Sequence, residues 1–75
     1  MYVENPRITF KRNLQKMLDK WVKRYDSSYA EFARVAGIRE HHLRYYRRGE
    51  RFPTPEQMVK LAKALQQPVE MFFRR

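Results

Sequence analysis

The chain has 75 residues, with 17 Lys and Arg against 8 Asp and Glu, a formal net charge of +9 and a pI near 10.4, so it is one small domain suited to a polyanion. The absence of cysteine excludes a disulfide framework and a thiolate zinc site, and makes a reducing cytoplasm the expected setting. No apolar run approaches membrane-spanning length and Met1 to Phe10 lacks the make-up of a signal peptide, while surface binding to an anionic membrane would need one long helix with a wide apolar face.

Residues 1–8 lack periodicity and read as an N-terminal arm, with Asn5-Pro6 either a turn or a cap followed by proline at the first helical position. Residues 9–75 read as the domain. Phe10, Leu14, Met17, Leu18, Trp21 and Tyr25 then recur at three- and four-residue steps, the buried stripe of a first helix. Arg12, Lys16, Lys20 and Lys23 fall on roughly the opposite side, mostly as a solvated face.

Ser28 with Glu31 forms an S-x-x-E capping box that opens a second helix with Phe32, Ala33 and Ala36 inward. Gly37 follows that apolar run directly and suits the left-handed position that ends a helix. A third helix begins almost at once, with Ile38, Leu43 and Tyr46 inward and Glu40, His41, Arg44, Tyr45, Arg47 and Arg48 outward. Small Ala33 lets the two helices cross closely, so residues 28–48 are expected to form a helix-turn-helix unit.

Phe52-Pro53 breaks the third helix, and Thr54, Pro55 and Gln57 start a fourth with Met58, Leu61, Ala62 and Leu65 buried and Lys60 and Lys63 outside. After Pro68, Val69 to Phe73 read as a final turn or short helix. Adjacent Phe72 and Phe73 cannot both face inward. One packs on the fourth helix, and the other joins Val69 and Met71 in an exposed apolar patch of the kind that marks an interface.

The order of these residues resembles the Cro and phage-repressor, or XRE-like, helix-turn-helix family. The likeness runs without a gap from Ser28 to Phe73. It rests on Phe32, Ala33, Gly37, Ile38, Leu43, the aromatic Tyr46, Arg48-Gly49, Pro53, the KLAKAL run from Lys60 to Leu65, and Phe73. The resemblance implies an all-α, compact bundle of about five helices, a lambda-repressor-like DNA-binding domain whose recognition helix at 39–48 enters the major groove of double-stranded DNA. It further implies a homodimer on a palindromic operator, held here by Val69, Met71, Phe72 and Phe73, and a transcriptional regulator, in the first place a repressor.

By position, the base-reading sites implied by the family fall on Glu40, His41, Arg44 and Tyr45, and the phosphate contacts on Tyr29, Arg39, Arg48 and Arg51. Tyr29 stands where the family often has glutamine, and Arg39 where it has a capping serine or threonine. Some members pair an arginine of the first helix with a glutamate near the end of the third. Val22 and Arg47 occupy those places here.

Two other functional classes compete with this one. A protein-interaction module, such as an antitoxin or anti-repressor partner, fits the fold but not the basic density from Arg34 to Arg51. An enzyme is not expected, because His41 and His42 are adjacent on a helix and diverge by roughly 100°, and no carboxylate pair or nucleophile set lies near. No metal, cofactor or small-molecule substrate is expected.

Overall fold

Asn5 opens the first helix by accepting a hydrogen bond from the Arg7 amide on its side chain, 2.9 Å away, with Pro6 pre-set at the first helical position. The computed structural model describes residues 5–75; the remainder of the expected N-terminal arm lies outside the described residues. Of the two readings of Asn5-Pro6 the cap holds, so helix α1 runs Pro6–Arg24 and takes in residues 6–8 of the expected arm. Then come α2 (Tyr29–Ala36), α3 (Glu40–Arg48), α4 (Pro55–Leu65) and a closing 3₁₀ turn, Val69–Phe73. Among the described residues there are four α-helices and no strand, so the expected fifth helix is this 3₁₀ turn. No helix among them is long and apolar enough to cross a membrane.

The helix starts are set locally. Ser28 accepts from the Glu31 amide at 3.1 Å, and Thr54 accepts from the Gln57 amide at 3.2 Å. At neither start does the side chain three residues on bond back to the cap residue's amide. The Glu31 carboxylate turns to the Arg34 guanidinium, while Gln57 Oε1 is buried without a partner.

The ends of α2 and α3 share one device. Gly37 and Gly49 adopt φ of 73° and 76°, and the residue after each donates back to the helix, Ile38 to Ala33 at 2.9 Å and Glu50 to Tyr45 at 2.9 Å. Helix α4 ends the same way with Gln66, at φ 57°, in the left-handed conformation that glycine occupies without strain.

One core joins all the elements: Phe10, Leu14 and Leu18 of α1, Phe32, Ala33 and Ala36 of α2, Ile38 of the turn, Leu43 and Tyr46 of α3, Met58, Leu61 and Ala62 of α4, and Phe72. Four residues of the expected stripes stand apart, and two of them, Met17 and Trp21, are only partly buried against the core. Tyr25 is 50% exposed because α1 has already ended at Arg24. Leu65 is only partly buried, at the end of α4.

The C-terminal turn is tied to α1 by a residue whose type gave no such signal. Asn13 directs its side-chain amide at the carbonyls of Met71, Phe72 and Arg74, at 3.3, 2.9 and 2.6 Å. That anchor drives Phe72 fully into the core, against Phe10 at 5.0 Å between ring centres, and leaves Phe73 at the surface.

Candidate nucleic-acid interface

Helix α3 is held by two buried side chains, Leu43 and Tyr46, seated against α2 and α1. Helical periodicity then sends the residues between them to solvent. Glu40, His41, Arg44 and Arg48 are exposed, and Tyr45 lies half-buried beside them. These side chains form one face with Arg39 at its start and Arg51 just past its end.

The face has internal order. Arg51 places its guanidinium 4.8 Å from the Tyr45 ring centre, and the His41 ring meets Tyr45 edge-on at 6.0 Å. These contacts fix Tyr45 with its ring between a cation and an imidazole. His41 and His42 do not diverge as expected: their rings lie 4.3 Å apart, and His42 also leans toward Tyr46. Desolvation first, and then His41, Arg39 and Arg51, hold the His42 pKa below the ordinary histidine value. Burial pushes the Tyr46 phenol up. Among the described residues no group of three or more His, Cys, Asp or Glu could hold a metal ion.

Arg39 precedes Glu40, is exposed, and makes no side-chain bond to the helix start, so the first amides of α3 lack a side-chain acceptor. Arg48 is exposed and lies 3.8 Å from Glu50, a surface pair of small energetic weight. Both are placed to meet an anion.

Tyr29 is not. Its hydroxyl donates to the Asp19 carboxylate, and the Arg47 guanidinium covers its ring at 3.7 Å. The hydrogen bond to Asp19 is the main cause of a raised Tyr29 pKa, followed by burial and the Asp19 charge, with Arg47 opposing. The phenol expected to donate to phosphate is thus already used inside the protein, and Arg47, expected to face outward, folds back onto α2. Gln15 completes this junction by donating to the Arg47 carbonyl at 2.8 Å, one of the orphan acceptors at the end of α3.

Packing adds two cations that sequence reasoning missed. Arg7 lies 5.3 Å from the Phe52 ring centre, and the Lys11 stem covers Gly49, where an added Cβ would sit 2.8 Å from Lys11 Cδ. The first turns of α1 therefore bring positive charge to the exit of α3, beside Arg51. Only the four-residue spacing of Arg7 and Lys11 hinted that they share a face.

The C-terminal patch is smaller than expected. Phe72 is 0% exposed and cannot meet a second molecule without unfolding, whereas Phe73 is 36% exposed with Val69 and Met71 partly covered beside it. The chain was compared with protein-family models, curated proteins and solved structures, and none of them matches it.

Proposed function

We propose that the chain is a sequence-specific double-stranded DNA-binding regulator, in the first place a repressor, of the XRE-like helix-turn-helix type. In this reading α2, the Gly37 turn and α3 form the helix-turn-helix, and α3 enters the major groove. The observation that carries it is the exposed face of α3: Glu40, His41, Arg44 and Tyr45 stand on a helix anchored from behind by Leu43 and Tyr46. Arginines 39, 48 and 51 flank that face, with only Glu40 and Glu50 as acids in the segment.

Each residue type suits a role at the DNA surface. Arg44 can donate in a fork to guanine O6 and N7, His41 can donate to guanine N7, and Glu40 can accept from cytosine N4. Tyr45, held by Arg51, offers its ring edge and hydroxyl to a base. Arg39, Arg48 and Arg51, joined by Arg7 and Lys11, neutralise phosphates and set the register. No cofactor enters this account.

A homodimer on a palindromic operator would use Val69, Met71 and Phe73, without Phe72. Doubling a short readout is how a domain of this size gains affinity, and two recognition helices on one DNA face require half-sites about 10 base pairs apart. The experiment is a titration of duplex binding against salt: each neutralised phosphate adds roughly 0.9 to the magnitude of the slope of log K against log salt. A steep negative slope is expected, and a flat one refutes the reading.

A further inference from the structure

The C-terminal halves of α1 and α4 leave a cavity of about 150 Å³ between them, away from the exposed face of α3. Met17, Trp21, Tyr25 and Leu65 form its apolar walls. The Trp21 and Tyr25 rings meet at 52° with centres 5.1 Å apart, so the cavity presents two aromatic surfaces at an angle. Phe32, itself fully buried, meets Trp21 at 5.0 Å and 78°, which holds the indole in place from behind.

The rim has one sign. Lys20 and Arg24 are the charged side chains that line the cavity, and among the described residues no carboxylate pairs with either. Across from them Gln66 ends α4 in a left-handed conformation that would be unstrained for glycine, yet it is a glutamine whose residue lines the cavity. The Arg24 guanidinium lies over the Tyr25 ring, 5.6 Å from its centre, which holds this cation at the mouth with no carboxylate on it. A ring-sized space with apolar walls and two cations without acidic partners at its mouth is the arrangement that takes an apolar body with one anionic head.

We propose that this cavity binds a small ring-bearing carboxylic acid. The pocket is open to solvent at its rim, and its volume of about 150 Å³ is of the order that a single six-membered ring fills. The ring lies against Trp21, Met17 and Leu65, and the carboxylate meets Lys20 and the guanidinium fork of Arg24. Binding here does not depend on whether α3 meets DNA.

Trp21 is the only tryptophan, so its emission reports on the site directly. The probe is cyclohexanecarboxylate, which does not absorb with indole, set against cyclohexylmethanol as its neutral counterpart. The acid shifts Trp21 emission saturably, and the alcohol binds roughly tenfold or more weakly, since a charge-assisted hydrogen bond is lost. A Lys20→Gln, Arg24→Gln double variant, altered only at exposed positions and checked for an unchanged melting temperature, loses the preference for the acid. The proposal is overturned by the absence of a saturable shift, by equal binding of acid and alcohol, or by preference for the acid surviving in the double variant. A shift that instead follows protein concentration, with a dimer in sedimentation, assigns the cavity to a second copy of the chain and overturns it as well.

Discussion

The guanidinium of Arg47 lies 3.7 Å from the centre of the Tyr29 ring, and the hydroxyl of that ring donates to Asp19. Three helices meet in this one stack: Asp19 from α1, Tyr29 from α2 and Arg47 from α3. Tyr29→Phe keeps the ring under Arg47 but removes the bond to Asp19, and should cost about 1 kcal/mol in urea unfolding. Tyr29→Ala removes both and should cost about 2 kcal/mol. Equal cost for the two variants would show that the hydroxyl carries everything and the stack nothing.

The same residue sets an alkaline limit. The Tyr29 pKa is raised in the fold above the ordinary 10.0, chiefly by its bond to Asp19, so the folded state holds the phenol proton more tightly than the unfolded chain. That stabilisation is fully present below pH 10.0 and is lost as pH rises through the folded value. Unfolding midpoints measured on either side of this window should fall with pH in the parent and less in Tyr29→Phe.

His42 acts in the opposite sense at acid pH. Its pKa is lowered from the ordinary 6.5, so the fold favours neutral imidazole, and this contribution is present above 6.5 and lost as pH falls through the folded value. Groups facing it are His41, Arg39 and Arg51, all of which oppose a further positive charge. Thermal melts of the parent should weaken as pH drops below 6.5, and a His42→Gln variant should show a shallower loss over the same range.

Asn13 is the fastener of the C-terminal turn. Asn13→Ala removes the donor from the part-buried carbonyls of Met71 and Phe72, leaves the exposed Arg74 carbonyl to water, and loosens Phe72, at a cost of about 1–3 kcal/mol. Denaturant unfolding gives the size, and amide exchange should show the Val69–Phe73 segment opening first. A cost confined to a few tenths of a kcal/mol, as for an ordinary surface substitution, would contradict this role.

What could be read from the sequence is what neighbouring residues decide among themselves. Ser28, Gly37, Thr54 and Pro55 mark helix ends through bonds and dihedrals within a turn of chain, and the stripe from Phe10 to Leu18 needs only the helical period. Contacts between distant segments leave no such trace. Nothing local says that Asn13 reaches the Phe72 carbonyl or that the Tyr29 hydroxyl is taken by Asp19, because both depend on how α1 lies against the rest. The choice between Phe72 and Phe73 is of the same kind: alternation shows that one must turn out, and the Asn13 anchor decides which. On the candidate interface, the exposed face of α3 follows from periodicity, whereas Arg7 and Lys11 join it through tertiary packing alone.

The central claim is that the exposed face of α3 reads base pairs in duplex DNA, and selection of bound sequences from random duplexes tests it most directly. The parent protein should enrich a palindrome whose half-sites lie about 10 base pairs apart. Tyr45→Ala or Arg44→Ala should change the preferred bases, while Arg48→Ala should weaken all sequences alike, since phosphate contacts position and base contacts specify. No enrichment by the parent, or an identical preferred sequence from the Tyr45→Ala and Arg44→Ala variants, would contradict the claim.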